Sequence, residues 1–226
     1  MIKLKNTDFL LFQGDSITHG GRVQSTTDMN HIMGHGYQSI LASRIGFENL
    51  DTRPGIKNRG ISGDTVPKLA ARWDEDTLAL KPTILSILIG VNDCYTFLGS
   101  GSPKPEDYNT GYRALLDRTV AALPDIKLII CEPFCTMSLR SVNDEEARKN
   151  DAEHIDVCRE YAAYAHEIAK DYKAVFVPFW GEIQKYFDIC PIDHIVWDGV
   201  HPTYVGHEIM ARFWYDTVDR SGLFGE

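Results

Sequence analysis

The sequence lacks several features that mark secreted and membrane proteins. No apolar run is long enough to cross a bilayer, and there is no internal repeat or low-complexity tract. The first residues, Met1–Asn6, lead into an apolar segment without the h-region and cleavage site of a secretory signal peptide. We therefore expect a cytoplasmic protein without a membrane partner.

Cysteine is scarce, and its pattern argues against a disulfide framework. The chain has 5 cysteines, an odd number, and no two of them form a Cys-x-x-Cys pair. A disulfide framework needs an even number of cysteines, and a zinc ribbon needs Cys-x-x-Cys pairs. We therefore expect reduced and mostly buried thiols.

Positive charge is also in short supply. The 32 acidic residues outnumber the 23 lysines and arginines, which gives a formal net charge of -9 at pH 7. Nucleic acids and anionic membranes require a basic face, so we expect neither as a partner. With 226 residues, of which 43% are hydrophobic, the chain has the composition of one globular domain over residues 1–226.

Apolar segments alternate with segments of helical periodicity along the chain. The clearest buried strand is Thr83–Ile89, because it is apolar almost throughout. Strands are also predicted over 8–13, 56–60, 127–132 and 174–177, and helices over 36–45, 67–80, 105–123, 144–172, 181–187 and 203–218, with loops over 99–105 and 196–202.

This alternation predicts an α/β fold with right-handed crossovers. We expect a three-layer α/β/α sandwich with a mostly parallel sheet of about five strands in the flavodoxin-like order. In that order the first and third strands are neighbours, so their carboxyl ends lie side by side. Ligands of open α/β sheets bind at this edge.

The first predicted strand ends abruptly in Gly14-Asp15-Ser16. Gly14 permits a backbone geometry that a side chain would hinder. A serine just past a buried strand is either the N-cap of a helix or a nucleophile, and this stretch alone does not distinguish the two.

Other motifs supply the remaining groups for acyl transfer. His201 is the candidate base that takes the proton of Ser16, and Asp198, three residues earlier, is the candidate carboxylate that orients the imidazole. The backbone amides of Ser16 and Gly63 and the side-chain amide of Asn92 are candidate donors to an oxyanion.

Each motif also has a simpler structural interpretation. Asn92-Asp93 and Asp198-Gly199 are typical of turns, and His201 before Pro202 could be a surface histidine. Histidines also cluster in the sequence, but no pair has the spacing of a zincin helix, so we expect no metal and no cofactor. The conjunction of the motifs favours catalysis over these separate interpretations.

In these motifs the sequence resembles the SGNH hydrolases, also called GDSL esterases, over its whole length. Ser16 matches the block I serine, Gly63 the block II glycine and Asn92 the block III asparagine, and Asp198 with His201 matches the block V pair. Ile17 stands where many members have leucine. Block II could instead be anchored on Gly60, but the Ser-Gly-Asp-Thr run favours Gly63.

A closer resemblance, to intracellular bacterial acetyl-xylan esterases, rests on five segments. These are Gln13–Thr18, Gly60–Gly63, Ala71–Trp73, Ile87–Asp93 and Trp197–Pro202. It implies a serine esterase that removes short acyl groups, acetyl above all, from carbohydrates such as xylo-oligosaccharides, by a Ser-His-Asp acyl-enzyme mechanism. Relatives often self-associate, so a homo-oligomer is compatible with it.

Two other functions remain open at this point. The same machinery could hydrolyse lipid esters or thioesters, and the fold could serve as a non-catalytic carbohydrate-binding module. Asp15, Tyr95 and Trp197 are the candidates for substrate binding because they flank the motifs. The alternatives are that Asp15 holds its loop in place and that the two aromatic rings are ordinary packing.

Overall fold

The computed structural model describes residues 1–25 and 27–224. At its centre is a sheet of 5 parallel strands in the order β2-β1-β3-β4-β5, which confirms the predicted flavodoxin-like order. The strands are β1 (Phe9–Gly14), β2 (Gly55–Asn58), β3 (Ile84–Leu88), β4 (Lys127–Cys131) and β5 (Val175–Val177).

Helices cover both faces of this sheet and complete the three-layer α/β/α sandwich. They are α1 (Ser16–His19), α2 (Tyr37–Glu48), α3 (Val66–Ala71), α4 (Trp73–Asp76), α5 (Val91–Ser100), α6 (Pro105–Ala122), α7 (Glu145–Asp171), α8 (Phe179–Gln184) and α9 (Tyr204–Arg220), with short 3₁₀ helices over 78–80, 139–142 and 192–194. Within the described residues, no helix is both long and apolar enough to span a membrane.

Successive side chains of each strand enter opposite layers of the core. In β1, Leu10 and Phe12 pack towards α2, α8 and α9, whereas Leu11 packs towards α3, α6 and α7. This is the period of two that a strand covered on both faces requires. The polar Ser86 of β3 is tolerated in the core because its hydroxyl accepts a hydrogen bond from the indole N–H of Trp214 at 3.0 Å.

One predicted helix is interrupted in the structure. The helix expected over 67–80 is broken at Arg72, whose φ of -112° and ψ of 5° separate α3 from α4. Leu69 and Trp73 keep helical spacing across the break and both are fully buried, so periodicity did not show it. The long helix α7, in contrast, runs over Glu145–Asp171 without interruption.

Helix α5 was missed altogether, although it carries the Asn92 motif. Its apolar residues Val91, Cys94, Tyr95 and Leu98 recur at helical spacing, and all of them are buried or half-buried. The turn-like character of Asn92-Asp93 concealed this signal. Asn92 therefore lies in the first turn of a helix, immediately after the end of β3.

Gly14 lies at the end of β1, opposite Leu88 of β3, and it offers a direct test of the fold. Its φ is +149°, and a Cβ there would lie 2.2 Å from the carbonyl oxygen of Leu88. We expect Gly14→Ala to lower the free energy of unfolding by about 2 kcal/mol or more, measured by urea denaturation. Gly46→Ala is the matched control, because a Cβ within α2 would meet nothing within 4 Å. That change should raise stability by up to about 1 kcal/mol, and equal effects of the two would contradict the account.

Candidate active site

Ser16 begins helix α1, directly beyond the end of β1. The turn is held by Asp15, whose carboxylate accepts a hydrogen bond from the backbone N–H of Ile17 at 3.0 Å. Asp15 is therefore the N-cap of α1, and Ser16 is not. The hydroxyl of Ser16 is therefore available for contacts outside the helix. The backbone N–H of Ser16 lies at the start of α1, where N–H groups have no acceptor within the helix.

The loop before α9 brings a histidine and a carboxylate to Ser16. The hydroxyl oxygen of Ser16 lies 2.8 Å from Nε2 of His201, and Nδ1 of His201 lies 2.7 Å from Oδ2 of Asp198. The other carboxylate oxygen of Asp198 accepts backbone N–H groups of Val200 and His201, at 3.0 and 2.7 Å. An ionised carboxylate only accepts, so Nδ1 carries a proton and Nε2 of the neutral ring accepts from the serine.

Electrostatics favours the charged form of this pair. The hydrogen bond to Asp198 raises the pKa of His201 above its ordinary value, against the opposing effect of burial. Burial alone would raise the pKa of Asp198, but the hydrogen bonds from His201 and Val200 outweigh burial and hold it below its usual range. An imidazolium formed during a reaction would thus be stabilised where it forms.

The segment that follows β4 supports the loop that carries Asp198 and His201. The backbone N–H of Thr136 donates to the carbonyl of Gly199 at 2.6 Å. Two residues later, the N–H and hydroxyl of Ser138 both donate to Asp151 of α7, each at 2.7 Å. The sequence interpretation assigned this segment no role. Its position after a strand end was the available signal.

The two glycines proposed for the oxyanion site differ sharply. The N–H of Gly60 donates to Asn58 at 2.9 Å, and a Cβ on Gly60 would lie 2.6 Å from the backbone nitrogen of His19. Gly63 has a φ of +78°, with open space where a Cβ would stand. Its N–H donates to no acceptor among residues 1–25 and 27–224. Gly63 is therefore the glycine with a donor to offer.

Asn92 is tied to the same turn as Gly63. Its side-chain NH₂ group donates to the carbonyl of Asp64 at 3.0 Å, which uses one of its two N–H donors. The turn is also joined to β1, because the N–H of Ile61 donates to the carbonyl of Gly14 at 3.0 Å. The ends of β1 and β3 and the Ile61–Asp64 turn are thus connected around Ser16.

Of the three candidate substrate residues, Asp15 is corrected by the structure. Asp15 is 1% exposed, so its carboxylate caps α1 and does not reach a substrate. The ring of Tyr95 stacks on His154, with 4.2 Å between the ring centroids, so one face of Tyr95 packs against the protein. Trp197 is 59% exposed and stacks beside His201, so it remains a candidate for substrate binding.

Two buried carboxyl groups lie behind the strand ends. Burial raises the pKa of both Asp15 and Asp93 to about 7, although each accepts a backbone hydrogen bond. Asp93 is fully buried and accepts the N–H of Val66 at 2.9 Å, which holds α3 against α5. Within the described part of the chain, no cluster of three or more His, Cys, Asp or Glu side chains is arranged to hold a metal ion.

The arrangement can activate a hydroxyl group and stabilise negative charge beside it, which are the requirements of acyl transfer. Comparison with known proteins agrees. Residues 12–209 match the GDSL-like Lipase/Acylhydrolase family. The chain belongs to this family. It is a carboxylic ester hydrolase, an activity shared by this family and by the relative described next.

One relative of this GDSL-like hydrolase is an acetylxylan esterase of Geobacillus stearothermophilus. It is 28% identical over 217 residues, which cover 93% of this chain and 94% of the relative. The crystal structure of the acetylxylan esterase Axe2 from that species superposes with a TM-score of 0.78 at 26% identity, over 95% of this chain and 96% of Axe2. Solved structures of Axe2 include catalytic mutants in which a serine or an aspartate is replaced by alanine.

A second solved structure is more similar in sequence. It is a protein of Parabacteroides merdae described as a GDSL-like lipase, with 34% identity and a TM-score of 0.87. The match covers 98% of this chain and 99% of that protein. Both solved structures extend over nearly the whole hydrolase, so the fold is shared from end to end.

The contact between His201 and Asp198 predicts a measurable titration. Because the hydrogen bond raises the pKa of His201, its imidazole should lose its proton with a midpoint pH above the ordinary value of about 6.5. The titration is measured by NMR, from the chemical shift of the ring protons against pH. Asp198→Asn should lower that midpoint. Asp28→Asn, which removes the carboxylate partner of the exposed His31, is the matched control and should leave the titration midpoint of His201 unchanged. A midpoint that does not move in Asp198→Asn would contradict the assigned contact.

Proposed function

We propose that this hydrolase is a serine esterase in which Ser16 is the nucleophile, His201 the general base and Asp198 the orienting carboxylate. The observation that carries the proposal is the continuous hydrogen-bonded series, with 2.8 Å from Ser16 to His201 and 2.7 Å from His201 to Asp198. A serine hydroxyl is a poor nucleophile until a base accepts its proton, and the neutral Nε2 of His201 is placed to accept it.

The reaction proceeds through an acyl-enzyme. Ser16 attacks the ester carbonyl as its proton passes to His201, and Asp198 stabilises the imidazolium that forms. His201 then donates this proton to the leaving alcohol. A water molecule, deprotonated by His201, attacks the acyl group. As the bond to Ser16 breaks, His201 returns the proton to the serine oxygen, and the carboxylic acid leaves as the second product. No metal or cofactor is needed in these steps.

The tetrahedral intermediates carry an oxyanion, for which we propose three donors. They are the backbone N–H groups of Ser16 and Gly63 and the second side-chain N–H of Asn92. Within the described part of the chain, the N–H of Gly63 has no acceptor and Asn92 uses one of its two side-chain N–H groups on Asp64, and both observations support this assignment. Uncharged donors of this kind stabilise the developing charge without binding a ground-state anion tightly.

We further propose that the substrate is a short-chain ester, acetyl above all, on a carbohydrate such as a xylo-oligosaccharide. The similarity to an acetylxylan esterase over 93% of the chain supports this substrate. The exposed ring of Trp197 beside His201 also supports it, because the C–H faces of pyranose rings pack well on flat aromatic surfaces. Lipid or thioester hydrolysis on the same machinery is the competing function.

The role of Ser16 is tested by substitution. Ser16→Ala should reduce kcat on p-nitrophenyl acetate by about 10³-fold or more, because both the nucleophile and the acyl-enzyme are lost. Ser43→Ala is the matched control, since Ser43 is exposed on α2 and its hydroxyl donates a hydrogen bond to the carbonyl of Ser39 in the same helix. Undiminished turnover by a folded Ser16→Ala protein would refute the mechanism.

The substrate is tested with two panels. In the first, p-nitrophenyl esters of increasing chain length should be hydrolysed best at acetate, and an optimum at long chains would favour the lipid alternative.

In the second, acetate release from acetylated xylo-oligosaccharides is measured with the wild type and with Trp197→Ala. We expect the KM for the oligosaccharides to rise about 10-fold in Trp197→Ala, as for loss of a stacked aromatic contact of about 1–1.5 kcal/mol, with little change for p-nitrophenyl acetate. Equal changes for both substrates would count against a sugar-binding role of Trp197.

A further inference from the structure

The Ala71–Trp73 segment has no part in the proposed reaction, yet the side chain of its arginine contacts three other residues near the site. Arg72 lies at the break between α3 and α4, and its side chain is only 15% exposed. Its Nε and one terminal nitrogen contact the same carboxylate oxygen of Asp64, at 2.8 and 2.7 Å. The other terminal nitrogen contacts Asp76 at 3.0 Å.

Asp64 ends the turn that presents Gly63. The N–H of Asp64 donates to the carbonyl of Ile61 at 3.2 Å, and Gly63, the third residue of this turn, has a φ of +78°. Turns of this kind have two forms that differ by a flip of their central peptide, and the positive φ belongs to one of them. A flip would turn the N–H of Gly63 away from its present direction. Whatever restrains Asp64 therefore restrains the donor next to it.

Asp64 also reaches Asn92. Its carbonyl oxygen accepts the side-chain N–H of Asn92 at 3.0 Å, while its carboxylate is held by Arg72. A third guanidinium contact, of 3.5 Å, joins Arg72 to the carbonyl of Gly14, two residues before Ser16. One side chain thus touches the turn of Gly63 and the end of β1, and it acts on Asn92 through Asp64.

We infer that Arg72 is a positioning residue for the oxyanion site: its guanidinium holds Asp64, and thereby the N–H of Gly63 and the amide of Asn92, at the end of β1. The inference rests on the proposed function, which makes Gly63 and Asn92 donors to the oxyanion. Arginine suits this place because its planar fork of donors can bind Asp64, Asp76 and a carbonyl together. Lysine, with a single ammonium group, does not reproduce that arrangement.

The test uses two substitutions that each neutralise one carboxylate partner of Arg72. Asp64→Asn weakens the contact of Arg72 with the turn that presents Gly63. Asp76→Asn weakens the contact of Arg72 with α4, and Asp76 is not part of that turn. Rates are expressed per reactive site, counted by titration with an organophosphate, so that a partly folded preparation does not mimic a catalytic defect. Loss of one oxyanion donor costs about 10²–10³ in kcat, so a misplaced donor should cost about 10-fold or more.

We expect Asp64→Asn to lose about 10-fold or more in kcat on p-nitrophenyl acetate, with KM within about two-fold of the wild type, because the donors act mainly in the transition state. Asp76→Asn should stay within about two-fold in both parameters. Arg72→Lys should behave like Asp64→Asn. Its matched control is Arg118→Lys, since Arg118 pairs with the exposed Asp74 on the surface. Should Asp64→Asn fail to fold, this second pair carries the same test.

The inference is overturned if Asp64→Asn and Arg72→Lys keep a kcat per site within about two-fold of the wild type, even with lowered thermal stability. A loss in Asp76→Asn equal to that in Asp64→Asn also overturns it. Ser16→Ala, assayed in parallel, separates the two levels of the argument. Activity retained in Ser16→Ala would contradict the proposed function itself, whereas its loss together with unchanged Asp64→Asn and Arg72→Lys would contradict only the role of Arg72.

Discussion

Parallel pairing of β1 with β3 is the constraint on which the site depends. The two strands run in register from Leu10 opposite Ile84 to Gly14 opposite Leu88, so they end together. Beyond them, Ser16 and Asn92 lie in the first turns of two helices, α1 and α5, at the same edge of the sheet. At Gly14 the backbone of β3 is so close that a side chain does not fit. The Ile61–Asp64 turn can therefore contact both Gly14 at the end of β1 and Asn92 in the first turn of α5.

Around this edge, the segments that carry or flank the candidate catalytic residues are held by hydrogen bonds from other parts of the chain. The backbone of Thr136 supports the loop of Asp198 and His201, and Asp93 holds the N-terminus of α3. Such bonds fix positions before a substrate arrives, and that preorganisation is the principal contribution of a protein to stabilising an oxyanion. Burial of the carboxyl groups that accept such bonds has a cost, because it raises the pKa of Asp15 and Asp93 and so favours their neutral form.

Much of this architecture could be predicted from the sequence, because strong local signals pointed the same way. The apolar Thr83–Ile89 run identified the central strand, and alternation of strands and helices predicted the sheet order. The pairing of His201 with Asp198 followed from a spacing of three residues. Helix α5 was missed because Asn92-Asp93 resembled a turn. The break at Arg72 was missed because apolar spacing continued across it.

The contacts that sequence patterns did not predict are long-range and polar. Nothing local to Arg72 indicates that its guanidinium meets Asp64 and Gly14, since these contacts depend on how separate segments pack. For the same reason, Asp15 appeared to be a substrate ligand when it was considered only as a neighbour of Ser16. Its burial beneath the first turn of α1 is a property of the folded chain.

The central claim is that Ser16 is the one nucleophile, activated by His201 and Asp198. The most direct measurement is mass spectrometry of the protein inactivated by diethyl p-nitrophenyl phosphate, with peptide mapping of the adduct. The account predicts one diethylphosphoryl group for each inactivated molecule, located on Ser16, and far slower labelling in Asp198→Asn. Inactivation with the adduct on another residue, or full activity with Ser16 modified, would contradict it.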